Sequence, residues 1–179
     1  MKSANTLDSA MLVRNLVDDD PRIQRNARDY LIALGPPAVE PMLEAWHKDP
    51  SDYKMKVGVV WVINHMLRNN VHAASTISER LADDDIHLLV NALSDSDKTV
   101  RLQATELLYY LKDKRVVKDS VEAIRDNNNE NGVFNNVLIL KEIVPSLDEP
   151  ERTLVRGEIV RLVPDNYVKT HSLALTIDP

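Results

Sequence analysis

An internal repeat limits the possible folds of this sequence more strongly than any other feature. The segment LVRNLVDDDPRIQRNARDYLIAL, residues 12–34, aligns without gaps on LVNALSDSDKTVRLQATELLYYL, residues 89–111. Such copies indicate an array of one supersecondary unit, because a unit that cannot bury its apolar face alone must stack on its neighbours. At one offset of 77 residues, matching positions are Leu12, Val13, Leu16, Asp18, Asp20, Ile23, Ala27, Leu31 and Leu34 with Leu89, Val90, Leu93, Asp95, Asp97, Val100, Ala104, Leu108 and Leu111.

Two weaker copies extend the repeat, so that successive copies are separated by steps of 32, 45 and 33 residues. The middle step is longer by 13 residues, which map to about 70–82. This surplus predicts an insertion that contains a short extra helix. The two copies depend on Asp52, Met55, Val59, Ile63 and Met66, and on Val133, Val137, Leu140 and Val144.

The residues that flank segment 22–34 predict where its helix begins and ends. Asp20 stands where an N-cap oxygen is needed, and Pro21 takes the first helical position, where no amide partner is lost. Gly35 can adopt the positive φ of a helix C-terminus, after which Pro36 cannot continue the helix. A new helix then starts at Pro41 and runs to about His47. The apolar stripe of the helix at 22–34 consists of Ile23, Ala27, Tyr30, Leu31 and Leu34.

These boundaries predict four helical hairpins in one domain that covers residues 1–179. The hairpins span about 7–34, 36–69, 84–112 and 114–147. A helix at about 150–162 is expected to cap the stack, and the tail at 164–179 is less periodic. The run NNNENG at 127–132 predicts a polar loop.

The segment LGPPAVEPMLEAW and the pattern D-x-D-x-x-V-R-x-x-A at 95–104 closely resemble HEAT repeats, notably the short PBS-lyase-like type. The resemblance covers about residues 7–162. It implies an all-α fold, a right-handed α-α superhelix of about four hairpins with a C-terminal capping helix. Arg101 carries the arginine of the pattern, whereas the first repeat has Gln24 at that position.

Composition excludes several classes of protein. The chain is 44% hydrophobic and 28% charged, as is usual for a globular domain. Its formal charge of −6 argues against a general nucleic-acid binder. It has no cysteine, so disulfides and thiolate metal sites are excluded. Residues 1–20 contain no long apolar segment and no run reaches the length of a membrane span, so we expect a cytoplasmic protein.

No motif for catalysis or metal binding stands out. The five histidines form no H-E-x-x-H pair and no His-Glu dyad of the HEAT-like di-iron hydroxylases. The acidic runs at 18–20 and 83–85 lack the spacing of a calcium loop, and their simplest role is to cap helices. We therefore expect no cofactor, no metal and no enzymatic activity. The histidines are His47, His65, His72, His87 and His171.

The candidate binding residues come from the resemblance. In HEAT-like stacks the second helix of each hairpin lines a concave surface, so equivalent positions recur side by side. Trp61, His65 and Tyr110 are the residue types that anchor partners, because each combines a rigid area with a polar tip. The alternative is that Trp61 and Tyr110 simply pack between repeats. The whole row is Asp29, Trp61, His65, Glu106, Tyr110 and Lys141.

The expected function is that of a non-catalytic scaffold or adaptor whose groove holds a helix or peptide of a protein partner. The repeat subtype suggests a first alternative, a chromophore-lyase-like accessory subunit. A HEAT-like DNA-binding protein is the second alternative, although Asp29 and Glu106 dilute its basic face and nucleic acid is not the expected partner. That basic face consists of Arg22, Arg25, Arg28, Lys54, Lys56, Arg68 and Lys98.

Overall fold

A computed structural model describes residues 9–70, 72–126 and 129–177 of the chain. These segments contain α-helices and two 3-10 turns, and no strand occurs among them. The chain divides into two compact units, unit 1 at Met1–Arg80 and unit 2 at Leu81–Pro179. The helices of unit 1 are α1 (Ser9–Asn15), α2 (Pro21–Leu34), α3 (Val39–Lys48), α4 (Tyr53–Asn69) and α5 (Ala73–Ser78). Those of unit 2 are α6 (Asp83–Ala92), α7 (Lys98–Leu111), α8 (Val116–Asp126), α9 (Glu130–Ile143), α10 (Glu149–Leu162) and α11 (Val168–Ala174).

Unit 1 is built from two helical hairpins that pack in two layers. The first helices, α1 and α3, lie side by side, and the second helices, α2 and α4, form the other layer. Gly58 allows close packing, because a Cβ at this position would stand 3.3 Å from the Cβ of Leu16. The core between the layers includes Leu16, Leu31, Trp46 and Ile63, all at most 1% exposed.

Unit 2 repeats this layered arrangement. Its first helices α6, α8 and α10 form one layer, and its second helices α7, α9 and α11 form the other. The helix α11 was not predicted from the sequence, yet it packs against α9 and buries Thr170 and Ala174. The helices α10 and α11 also contact each other and form a further pair at the C-terminal end of the unit.

The turns of the equivalent hairpins in the two units contain the same individual hydrogen bonds. Asp20 N–H donates to Asp18 Oδ1 at 2.8 Å, and at the equivalent position in unit 2 Asp97 N–H donates to Asp95 Oδ1, also at 2.8 Å. Asp20 and Asp97 then cap α2 and α7 through the amides two residues further on. Asp20 therefore caps α2 as the sequence predicted, and Asp97 makes the equivalent cap of α7. The acidic run 83–85 lies in the first turn of α6, where Asp85 accepts from the N–H of Ala82.

Gln24 replaces an arginine in sequence but keeps its contact. Its Nε2 donates to the carbonyl oxygen of Asp18 at 2.5 Å. In unit 2, Arg101 Nη1 donates to the equivalent carbonyl of Asp95 at 2.6 Å. The departure from the repeat pattern at Gln24 thus leaves the turn intact, because either side chain can supply the required N–H donor.

Two local predictions were wrong. The second hairpin begins with a 3-10 turn, Pro36–Ala38, and its helix α3 starts at Val39. Pro41 therefore lies inside the first turn of α3 rather than at its first position. Its missing amide costs nothing there, because the first amides of a helix have no intrahelical partner. The predicted loop at 127–132 is helical from Glu130 onward, with Asn129 as its N-cap, while residues 127–128 lie outside the described part of the chain.

The apolar stripe of α2 is only partly buried. Only Ala27 and Leu31 are buried, whereas Ile23, Tyr30 and Leu34 are 38%, 50% and 41% exposed. The physical reason is position: within unit 1, α2 has α4 on one side of its layer and no described helix on the other. The periodicity correctly predicted a helix, and the burial of the stripe depends on its neighbours.

Candidate functional site

The most distinctive surface feature of unit 1 is a stack of two rings on α4. Trp61 and His65 lie one helical turn apart, with ring centroids 3.6 Å apart and ring planes inclined by 24°. Both side chains are half-buried. Because the i and i+4 positions of a helix share one face, the two rings form a single patch on the outer side of the second-helix layer.

Arg28 of the neighbouring helix α2 completes this patch. Its guanidinium carbon lies 5.5 Å from the centroid of the Trp61 ring, a distance suited to a cation–π interaction. Burial lowers the pKa of Arg28, because desolvation disfavours the charged form. Its Nε is buried and has no hydrogen-bond partner among the described residues. A guanidinium stays charged in proteins, so the patch contains a partly desolvated cation.

The hydrogen bond of His65 determines which of its two ring nitrogens remains available as an acceptor. Nδ1 lies 2.8 Å from the carbonyl oxygen of Trp61. A carbonyl can only accept, so Nδ1 carries the proton and donates it. In the neutral ring Nε2 is then an acceptor that is not used by this bond. We call Arg28, Trp61 and His65 the Trp61 patch.

Asp29, the remaining candidate of unit 1, lies outside this patch. It is exposed on α2, and its carboxylate forms no hydrogen bond or ion pair with any described residue. The structure therefore brings Trp61 and His65 together with Arg28, a residue that the sequence had placed only in a general basic face.

The second helices of unit 1 are strongly basic. Together α2 and α4 carry six basic side chains and one acidic side chain, although the whole chain has a charge of −6. Arg22 is paired with Asp20 at 2.7 Å, and Lys54 with Asp19 at 2.7 Å. These pairs hold the pKa values of both carboxyls below their usual range. Arg28, which lies over the Trp61 ring, has no ion pair with any described residue.

The candidates of unit 2 have a different environment. On α7, Glu106 and Tyr110 are half-buried, and the Tyr110 ring meets Tyr109 edge to face at 5.5 Å. On α9, Lys141 donates from Nζ to Thr176 Oγ1 at 3.1 Å. Lys141 is thus held by the segment after α11, a contact that no sequence pattern predicted.

A cleft in unit 2 was not predicted either. It has a volume of about 560 Å³ and lies between α6, α8 and α10. Its walls include Ile86, Val117 and Leu154, and the Leu154 side chain is 68% exposed. The cleft is formed by three helices that are distant in sequence, so no local motif could reveal it.

No group of three or more potential metal ligands occurs among residues 9–70, 72–126 and 129–177. Within the same segments, no helix has the length and apolar character needed to cross a bilayer.

Comparison with known proteins supports the architecture. No family model matches the sequence, and the search of curated proteins found no match. A designed armadillo repeat protein is similar in structure, with a TM-score of 0.56 and 14% identity, over 94% of this chain and 81% of that chain. The chain has an armadillo-like helical-repeat fold. The predicted all-α repeat architecture is thereby confirmed.

Two further solved structures agree with this conclusion. An engineered protein has a TM-score of 0.54 and 14% identity, over 94% of this chain and 78% of that chain. A computationally designed armadillo repeat protein for modular peptide recognition has a TM-score of 0.50 and 15% identity, over 94% and 81% of the two chains. At these identities the likeness describes the fold alone.

Proposed function

We propose that this protein is a non-catalytic binding module that holds a peptide or helix of a protein partner on its second helices. The Trp61 patch is the principal contact surface of unit 1. Glu106, Tyr110 and Lys141 form a second surface in unit 2, and Asp29 borders the first. Binding would depend on aromatic anchors and surrounding polar contacts rather than on chemistry.

The observation that carries the proposal is the half-exposed Trp61–His65 stack. Only 4% of the residues are aromatic, and Trp46, the other tryptophan, is 1% exposed in the core. A tryptophan that remains partly open to solvent beside a desolvated arginine is poorly explained by stability alone, because burying it fully would contribute more. Trp and Arg are also the residues most enriched at interface hot spots.

Two further points support the proposal, one for the binding role and one for the type of repeat. One structural neighbour was designed for modular peptide recognition, and this likeness supports a peptide-binding role. The turn in which Gln24 and Arg101 make equivalent contacts is consistent with the HEAT resemblance. We include in the proposal that the repeats are of the HEAT type, notably the short PBS-lyase-like subtype.

Selection of peptides from a random phage-displayed library on the full chain tests the proposal. We expect enriched peptides whose affinity falls about thirtyfold in Trp61→Ala, which corresponds to a hot-spot loss of about 2 kcal/mol. The matched control is Tyr53→Ala, which removes a 52% exposed aromatic from the same helix outside the patch. Circular dichroism of both variants checks that they fold. Equal binding by wild type and Trp61→Ala would reject the assignment of the surface.

A further inference from the structure

We propose that the Trp61 patch recognises an acidic peptide, in which an Asp or Glu carboxylate pairs with Arg28 and a neighbouring apolar side chain covers the open part of Trp61. This inference rests on the proposed function and names the chemistry of the partner.

The first argument is the unsatisfied state of Arg28. The side chain is partly buried, its Nε has no described hydrogen-bond partner, and no described carboxylate pairs with it. A charge that is removed from water without a partner is unfavourable, and a bidentate carboxylate is the group that best matches a guanidinium. The cation–π contact with Trp61 holds the guanidinium in place before a ligand arrives.

The second argument is the distribution of charge around the patch. Arg22 and Lys54 are already paired with Asp20 and Asp19 at the start of their helices. Arg28, further along α2, has no ion pair with any described residue. Its positive charge therefore remains available beside Trp61, where it complements an acidic segment.

The third argument is the fixed orientation of His65. Because Nδ1 is bonded to the Trp61 carbonyl, Nε2 of the neutral ring is the acceptor left for a ligand. A backbone N–H of an extended peptide can donate to it. The patch thus offers a cation for a carboxylate, an aromatic surface for an apolar group and an acceptor for the peptide backbone.

An acidic peptide fits these features better than a nucleic acid. Phosphate backbones are bound by many cations spread along a surface, and the affinity grows with their number. Here the available charge is local, and the chain as a whole carries −6. The α7 and α9 helices of unit 2 carry three basic and three acidic side chains, so these two helices offer no surplus of cations.

Tryptophan fluorescence gives a direct test in the full-length chain. In a Trp46→Phe background Trp61 is the only tryptophan, so its emission reports the patch. The probes are three synthetic peptides that differ at the charged positions only: Glu–Leu repeats, the same peptide with Gln for Glu, and the same peptide with Lys for Glu. A single-stranded oligothymidylate is the fourth probe.

We expect the Glu peptide to shift Trp61 emission and to bind more tightly than the Gln peptide, with no shift by the Lys peptide. Arg28→Gln should weaken the Glu peptide about ten- to hundredfold, as for the loss of a hydrogen-bonded charge pair. Arg28→Lys should recover only part of this loss, because Lys cannot form the bidentate contact. Arg25→Gln is the matched control and should change affinity less than about threefold.

Each contrary result has its own meaning. Preferred binding of the Gln or Lys peptide with a Trp61 signal would overturn the carboxylate inference and leave the proposed function standing. Tighter binding of oligothymidylate, with equal losses in Arg25→Gln and Arg28→Gln and a steep salt dependence, would assign the patch to nucleic acid. Absence of any Trp61 signal with these probes and with the peptides selected on phage would overturn both proposals.

Discussion

The second helices of unit 1 and unit 2 follow one repeat pattern but present different surfaces. In unit 1, α2 and α4 carry six basic side chains and one acidic side chain, and Arg28 approaches Trp61 without a carboxylate partner among the described residues. In unit 2, α7 and α9 are balanced at three and three, and Lys141 is bonded to Thr176. The repeat therefore constrains the positions that face the core and leaves the outer positions free to diverge.

This difference teaches where function is to be sought in a repeat protein. The equivalent core positions Leu31 and Leu108 are both 0% exposed, and the turns at Asp20 and Asp97 share their hydrogen bonds. What is common to the copies serves folding. What differs between them, above all the Trp61 patch, is the better candidate for a specific role.

The largest expected effect comes from substitutions that shorten equivalent buried side chains in the cores of the two units. Leu31→Ala and Leu108→Ala should each lower the free energy of unfolding by about 2–5 kcal/mol, because each leaves a cavity where a buried side chain was removed. Urea unfolding followed by circular dichroism measures the loss. If one variant were nearly neutral while the other was severe, the two positions would not be structurally equivalent.

A second prediction separates the two surfaces. Trp61→Ala should weaken the tightest phage-selected peptide by about 2 kcal/mol, the usual loss at a hot spot. Tyr110→Ala should have a smaller effect on the same peptide, because Tyr110 belongs to the surface of unit 2. Isothermal titration calorimetry measures both, with Leu102→Ala, an exposed residue of α7, as control. A larger loss in Tyr110→Ala would make unit 2 the principal binding surface.

The helix caps give the third prediction. Asp20→Ala and Asp97→Ala should each cost about 1 kcal/mol of stability, because each removes the acceptor for the first amides of its helix. Thermal unfolding of the two variants tests whether the equivalent caps contribute equally. Unchanged stability in either variant would show that its cap is not needed.

Exchange of the turn donor should have a smaller effect. Gln24→Arg restores the residue found at Arg101 in the other copy and should change stability by less than about 0.5 kcal/mol, since either side chain can reach the turn carbonyl. Gln24→Ala, which removes the donor, is expected to destabilise more than Gln24→Arg. Chemical denaturation compares the three proteins, and a strongly destabilised Gln24→Arg would contradict the equivalence of the turns.

The smallest effect concerns acid stability at the turn of unit 1. Arg22 lowers the pKa of Asp20 in the folded protein, so the folded value lies below the unfolded one. The resulting stabilisation is present above the unfolded pKa of about 4 and is lost as pH falls through the folded pKa. Asp20→Asn keeps a capping oxygen but removes the charge, so its stability should fall slightly less on acidification. Asp29→Asn, at an exposed position, is the control.

The sequence correctly predicted several structural features that depend on a single helix or on the repeat. Asp20 was predicted as a cap from its position before a periodic segment, and the matching positions Asp97, Leu31 and Leu108 followed from the repeat. The extra helix in the insertion was also expected, and the structure contains α5 at Ala73–Ser78. Spacing and capping are local properties, so one sequence is enough to read them.

The contacts of the candidate site were beyond sequence reasoning. The pairing of Arg28 with Trp61 depends on how α2 lies against α4, and the bond from Lys141 depends on where the segment after α11 returns. The exposure of Ile23 and Tyr30 likewise depends on the position of α2 at the side of its layer. These are tertiary facts, and helical periodicity contains no information about them.

The most direct test of the central claim is to map a peptide onto the protein by NMR. The tightest phage-selected peptide is titrated into the isotope-labelled full-length chain, and backbone and indole resonances are followed. We predict that the largest shifts belong to Arg28, Trp61 and His65, with smaller changes in unit 2. Shifts centred instead on the cleft residues Ile86, Val117 and Leu154 would contradict the account and move the binding site to the first helices.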